Sequence, residues 1–187
     1  MSTPCAPAAS TGGARCNTTE TPAPYRAAVH IEPGDLDAAD VRALLGEHLA
    51  DMYATSPPES VHALSDEGLR DPAVTFFTAR DDDGALLGCG ALKRLDDGAA
   101  ELKTMRTVTS ARGRGVGSAM LGHLLGVARA RGCTTAYLET GSMEYFATAR
   151  RLYARHGFVE TGPFADYAPD PLSTFMTLRL DPMPSQT

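Results

Sequence analysis

The sequence predicts a mixed α/β domain: a mostly antiparallel sheet with one parallel strand pair and helices on both faces. Three observations lead there. Two Asp-Gly turns, Asp82-Asp83-Gly84 and Asp96-Asp97-Gly98, separate three apolar runs, the pattern of an antiparallel meander. A helical period over Gly115–Arg131 is followed by a short apolar run, Thr134–Glu139, which makes a β-α-β unit and requires a parallel pair. Two further amphipathic stretches, one on either side of this middle, supply helices for both faces.

Taken in order, Tyr25–Ile31 alternates weakly and predicts a first strand, closed by a turn at Pro33-Gly34-Asp35. Asp37–Tyr53 carries Val41, Leu44, Leu45, Leu49 and Met52 at helical spacing, and Ser56-Pro57-Pro58 ends it. Val61–Leu69 predicts a second short helix. The meander strands are Val74–Ala79, Ala85–Leu95 and Ala100–Val108. In the helix Gly115–Arg131, Val116, Met120, Leu124 and Val127 share a face, Arg129 and Arg131 suit the C-terminal dipole, and Gly132 stops it. Tyr145–His156 predicts the last helix, and Phe158–Thr161 and Thr174–Leu180 the last strands. A single domain is expected over residues 25–182, between a flexible tail at 1–24 and a short one at 183–187.

Composition narrows the function. The chain has 187 residues, 17 Lys and Arg against 23 Asp and Glu, and a net charge of −6. That balance is poorly suited to holding nucleic acid through its phosphates, so no nucleic-acid partner is expected. No apolar run approaches the roughly 20 residues of a membrane span, and no membrane partner is expected either. Cys5, Cys16, Cys89 and Cys133 are widely spaced, which reads as free thiols rather than a disulfide framework. The N-terminal stretch lacks the apolar centre of a signal peptide, so a cytoplasmic location is expected. None of the five histidines has a partner at metal-ligand spacing, and no metal is expected.

The segment Ala111–Met120, ARGRGVGSAM, carries the most chemistry. Gly113, Gly115 and Gly117 stand where a strand has ended and a helix begins, so backbone N–H groups can approach a ligand without an intervening Cβ. The helix start adds unpaired donors and the positive end of its dipole. Arg112 and Arg114 add full charge. This is a site for a phosphate or pyrophosphate. No Gly-Lys-Ser/Thr follows, which excludes a Walker A loop. A dinucleotide fingerprint fits poorly, because Ser118 stands at its third glycine and the preceding strand belongs to a meander.

RGRGVG, Arg112 to Gly117, matches the Arg/Gln-x-x-Gly-x-Gly/Ala signature, and the chain resembles the GNAT superfamily of acyl-CoA-dependent N-acyltransferases. ELKTMRTV upstream, YLETG after the helix, and ARRLYARHGF (Ala149 to Phe158) stand where that superfamily has its supporting segments. The resemblance covers about Tyr25 to Leu180. SPPESVHAL, GCGALK, LETGSM and PFADY point further to a bacterial, YsnE-like subgroup.

The resemblance implies a GNAT-like sheet whose central parallel strands splay apart, with acetyl-CoA as co-substrate. The pyrophosphate would lie on the backbone N–H groups from Arg112 through Gly113, Arg114, Gly115, Val116 and Gly117 to Ser118. Main-chain groups of Arg106, Thr107 and Val108 would hold the pantetheine arm, and one donor there would polarise the thioester carbonyl. Arg106 also has two other readings, a holder of an acceptor carboxylate or an exposed strand residue. Tyr153 is the implied general acid on the leaving thiolate, against the reading of an ordinary core tyrosine. Glu101 is the implied general base, with Glu139 and Asp166 as alternatives. His62, Asp166, Tyr167 and Asp170 are candidates for the acceptor site, or parts of a solvated loop. Many relatives carry an Asn just before the Tyr-bearing helix; SMEYFATA has none, and Ser142 is a weak substitute.

The function so implied is transfer of an acetyl group from acetyl-CoA to a primary amine by direct attack, with a small-molecule acceptor. No Cys stands where a covalent acyl intermediate is expected. Alternatives are a protein lysine or N-terminal acceptor, an acyl-CoA-binding regulatory module without turnover, and a dinucleotide binder. Homodimers are common in the superfamily and are an expected state.

Overall fold

The computed structural model describes residues 28–57, 60, 62, 64–95 and 98–181. The expected tails, the strand residues Tyr25–Ala27 and the turn residues Asp96 and Asp97 lie outside the described residues. In chain order the elements are β1 His30–Pro33, α1 Ala39–Thr55, α2 Asp66–Leu69, β2 Val74–Arg80, β3 Leu86–Arg94, β4 Ala99–Thr107, α3 Val116–Ala130, β5 Thr135–Gly141, α4 Ala147–Arg155, β6 Val159–Thr161 and β7 Ser173–Arg179. The strands form one sheet in the order β1-β2-β3-β4-β5-β7-β6, antiparallel throughout except at β4-β5. This is the mixed, mostly antiparallel architecture the element order predicts. It excludes the parallel sheet of a dinucleotide-binding fold.

Alternation along the strands sends side chains to two cores. Phe77, Ala79, Leu87, Leu92 and Leu102 pack with Met120, Leu121, Leu124 and Leu125 of α3 and with Tyr153 of α4. Phe76, Cys89 and Ala91 face the other way, onto Val41 and Leu44 of α1 and Leu69 of α2. Helices therefore cover both faces of the sheet.

Three expected elements differ. The first strand lies later than Tyr25–Ile31 and runs through Pro33, which pairs with Phe77. Proline is tolerated there because β1 is an edge strand and needs no donor on its outer side, and the Gly34 N–H then bonds the Phe76 carbonyl. The second helix is the short α2, which Ser65 starts at Asp66 by accepting the Gly68 N–H; His62 and Leu64 lie outside it, and Val61 and Ala63 of the expected helix lie outside the described residues. The last helix opens as a 3-10 turn at Glu144–Phe146 before α4 begins at Ala147.

One irregularity positions everything that follows. Cys89 pairs with Arg106 and Ala91 with Lys103, so Thr104 and Met105 together oppose the single residue Gly90. This is a β-bulge in β4, and Thr104 takes a left-handed φ of 54° to form it. The extra residue reverses the alternation. Glu101, Lys103 and Arg106 consequently share the face of α1 and α2, while Met105 packs toward α3.

Gly88 sits beside the bulge, opposite Thr107. A Cβ built there would come 2.6 Å from the Arg106 carbonyl oxygen and 3.3 Å from the Thr107 Cα. Gly88→Ala is expected to cost about 1–3 kcal/mol, by analogy with overpacked cores; urea unfolding measures it, and an unchanged midpoint would contradict this close approach.

Candidate active site

The start of α3 is open. Gly113 and Gly115 take left-handed φ values of 75° and 87°, which bring the chain into the helix without a side-chain cap. The first helical bond runs from the Ala119 N–H to the Gly115 carbonyl, so the N–H groups of Val116, Gly117 and Ser118 have no partner within the helix. The amides of Arg112 and Arg114 differ from expectation. They turn back onto the carbonyls of Thr109 and Ala111, at 3.3 and 3.4 Å. The donors facing outward are those of the helix start rather than the whole run.

Parallel pairing between β4 and β5 stops at Leu102 with Leu138. Beyond it, Lys103–Thr107 and Glu139–Gly141 diverge, and a cavity of about 550 Å³ opens between them. Its lining joins the start of α3, the divergent strand ends, the C-terminal half of α1, and Tyr153 of α4. Among the expected cofactor residues, Arg106, Thr107, Arg112, Gly113, Gly115, Val116, Gly117 and Ser118 line it; Arg114 and Val108 do not. Val108 is a correction: its N–H is given to the Leu87 carbonyl and its carbonyl receives the Ala111 N–H. In an antiparallel ladder successive residues point their main-chain groups to opposite sides, so with Val108 turned to β3, Thr107 turns its own toward the gap.

Beside the gap, on the face of α1 and α2, lies a closed polar network. Lys103 Nζ is 3.2 Å from Glu101 Oε1 and donates to the Tyr167 hydroxyl at 2.6 Å and to the His62 carbonyl at 3.0 Å. Tyr167 in turn donates to Glu101 Oε1 at 2.6 Å. Glu101 is 2% exposed and absent from the cavity lining, so it and Tyr153 do not converge directly on one open space. Glu139, two residues along β5 from Tyr137, does line the cavity together with Tyr153. Burial raises the Glu139 carboxyl above its ordinary range, against the opposing hydrogen bond from the Ser173 hydroxyl at 2.7 Å.

Tyr153 is buried, and burial, followed by the Glu139 charge, raises its phenol so that it stays protonated. His62 lines the cavity, with its ring edge-on to Tyr167 at 5.0 Å. Asp166 is exposed and outside the lining. The reason is local: Phe164 turns inward to stack on Tyr137 and Tyr167 packs on Phe175, so Ala165 and Asp166 between them face water. Asp170 caps its own loop, accepting the Leu172 N–H, and the Ser142 hydroxyl is spent on the Pro171 carbonyl. Burial pushes the Cys89 thiol up to about 12, which removes it as a nucleophile. Among the described residues no His, Cys, Asp and Glu group could hold a metal ion, and no helix is long and apolar enough to cross a membrane.

Sequence reasoning missed an assembly at the end of α1. Asp51 accepts from Arg106 Nη2 at 2.6 Å and from the Tyr145 hydroxyl at 2.9 Å. His48, one turn earlier, lines the cavity, and burial followed by the Arg106 charge lowers its imidazole to about 4. The only advance signal was that His48, Asp51 and Met52 fall on one stripe of the α1 helix.

The Lys103–Glu101 pair gives a stability test. Lys103→Met leaves a buried carboxylate with its tyrosine alone and is expected to cost about 3–5 kcal/mol. Adding Glu101→Leu is expected to recover much of that loss in chemical denaturation. A double variant no more stable than the single one would show that the pair is not coupled.

Residues 41–158 match the Acetyltransferase (GNAT) family. The chain is 48% identical over 152 residues to the uncharacterized N-acetyltransferase YsnE of Bacillus subtilis, covering 81% of this chain and 100% of that one. It is 45% identical over 150 residues to the uncharacterized N-acetyltransferase YedL of Escherichia coli, covering 80% and 94%. A crystal structure from Klebsiella pneumoniae, assigned as an acyl-CoA N-acyltransferase, superposes with a TM-score of 0.67 at 31% identity, over 82% of this chain and 98% of that one. An open helix start beside a splayed parallel pair, within a sheet of this order, agrees with these likenesses, and the chain belongs to the GNAT family of acyl-CoA-dependent N-acetyltransferases.

Proposed function

We propose that this chain acetylates the primary amine of a small molecule, with acetyl-CoA as donor and by direct attack. The observation that carries the reading is one cavity that joins the open start of α3 to Tyr153 and Glu139 through the gap between β4 and β5. The residues present fit the cofactor. Unpaired amides of Val116, Gly117 and Ser118, with Arg112 on the lining, suit a pyrophosphate, and the free edge at Thr107 suits the amide groups of a pantetheine arm. A small acceptor is favoured because the far end is walled by α1, by His62 and by Tyr145 and Phe146.

Acetyl-CoA, when bound, supplies an activated acetyl thioester whose C–S bond breaks as the C–N bond forms. Glu139 takes one proton from the incoming ammonium, which frees the nitrogen lone pair. It is the carboxylate on the cavity lining, and burial raises its affinity for the proton it must take. Thr107 turns main-chain groups to the gap, where a donor can stabilise the developing oxyanion. Tyr153 gives its proton to the departing sulfur and recovers one from the amine nitrogen as the amide forms. Glu101 acts from behind, holding Tyr167 and Lys103 in place. The chain is expected to work as a single domain over residues 25–182, in the cytoplasm, without metal.

Acetyl-CoA at roughly 1,000 times its Kd is expected to stabilise the fold by about 4 kcal/mol and raise its Tm accordingly. Absence of any shift with acyl-CoA overturns the proposal. Tyr153→Phe is expected to lower kcat about 100-fold or more while leaving that shift intact; an unchanged kcat removes the acid role.

Glu139 also sets a pH dependence. It must be ionised to accept a proton, and burial raises it above the ordinary 4.5, so kcat/KM is expected to rise with pH along an acid limb displaced above 4.5. Glu139→Gln is expected to abolish that limb, whereas a limb that persists unchanged assigns the base elsewhere, Glu101 through water being the next candidate.

A further inference from the structure

The acceptor end of the cavity holds polar groups that the acetyl transfer does not use. Arg106 donates Nη2 to Asp51, yet its Nε is buried with no acceptor, on a side chain only 10% exposed. His48 Nδ1 is likewise buried and unpartnered. Both residues line the cavity and both lie on the α1 side of the sheet, where the Arg106 charge, after burial, helps to keep the His48 ring neutral. A buried Arg N–H without an acceptor is rare and costly, roughly 1–3 kcal/mol, and beside a cavity it points to a ligand acceptor that completes it, while the neutral His48 ring offers Nδ1 as donor or acceptor according to its tautomer.

The sign of that group follows from what faces the cavity and what stands behind it. At this end the lining carries two cationic side chains, Lys103 and Arg106, and one carboxylate, Glu139. The counter-charges Glu101 and Asp51 are not on the lining. Arg112 and Arg155 also line the cavity, toward α3 and α4. Lys103 and Arg106 are each ion-paired, to Glu101 at 3.2 Å and to Asp51 at 2.6 Å, so of these two the cation with bonding capacity left for a ligand is Arg106, through its unpartnered Nε. A polycation such as a polyamine would bring no acceptor to the Arg106 guanidinium. An acceptor with an amine at Glu139 and an anionic group beyond it meets complementary charge at both ends.

We propose that the acceptor is zwitterionic, an amino-acid-like molecule whose carboxylate is received by Arg106 with His48 beside it. This deepens, and rests on, the acetyl-transfer reading. Arg106 is the specificity-determining residue: its Nη2 stays on Asp51 and its unpartnered Nε is left for the carboxylate, with His48 on the same lining, while Tyr145 keeps Asp51 in place through its own hydrogen bond. The bulge at Thr104–Met105 is what turns Arg106 to this face.

Product-like probes test the proposal while the acceptor itself is unidentified. Dissociation constants are measured by ligand-observed NMR on the full chain saturated with CoA. The probes are N-acetyl glycine, methionine, phenylalanine and glutamate, each against the matching α-carboxamide. At least one acid is expected to bind about 10-fold or more tightly than its carboxamide, the scale of a charge-assisted bond. Arg106→Gln is expected to bring that acid down to its carboxamide, and Arg106→Lys to retain part of the preference. Equal binding within every pair, binding of no probe, or a preference that survives Arg106→Gln overturns the proposal. If wild type gains thermal stability from acetyl-CoA and still shows no preference, only the zwitterion assignment falls. If acetyl-CoA gives no stabilisation, the underlying reading falls with it.

Discussion

The separation of β4 from β5 beyond Leu102 and Leu138 is the constraint on which the rest of the structure depends. A sheet interior is the worst place to leave main-chain donors and acceptors unpaired, because each unmet group forfeits the bond it would make with water. The chain keeps this gap open by committing its neighbours. Val108 is bonded to Leu87 and Ala111, β5 is paired along its whole length with β7, and Arg150 donates to the carbonyls of Gly141 and Met143 where β5 ends. With both flanks held, the gap cannot close by local relaxation. Its main-chain groups are left to water or to a ligand.

The bulge works with the splay. Without the extra residue, Arg106 would point toward α3 and Met105 toward α1. With it, three charged residues of one strand, Glu101, Lys103 and Arg106, stand on the same face. That concentration of charge is tolerated only because each partner is supplied from a different element: Tyr167 from the loop after β6, the His62 carbonyl from the loop after α1, and Asp51 from α1 itself. The polar layer therefore ties the acceptor-side loops to the central strand. A buried network of this kind contributes more to fixing one arrangement than to net stability.

How far the site was legible in the sequence varied with how local its physics is. The glycine-rich turn was readable because a strand end, positive-φ glycines and a helix start lie within ten residues. Its refinement was not, because the inward turn of the Arg112 and Arg114 amides depends on carbonyls fixed by the 3-10 turn at Thr109–Ala111. Of the two carboxylates on adjacent strands, the resemblance put Glu101 first as the base and Glu139 only as an alternative. Only the register, together with Tyr167 and Lys103 closing over Glu101, leaves Glu139 facing the cavity. Asp166 and Tyr167 are neighbours in sequence, yet aromatic stacking turns Tyr167 into the core and leaves Asp166 in water.

The sequence by itself determined the element order, the mostly antiparallel sheet with one parallel crossover, the glycine-rich helix start and the family. These rest on hydrophobic period, turn chemistry and backbone freedom, which act between residues close along the chain. The tertiary structure alone decided which charges face one another. Arg106 and Asp51 are 55 positions apart, and Tyr167 and Glu101 are 66. No local rule relates such pairs, because their meeting depends on strand register, on one inserted residue and on the face each helix covers.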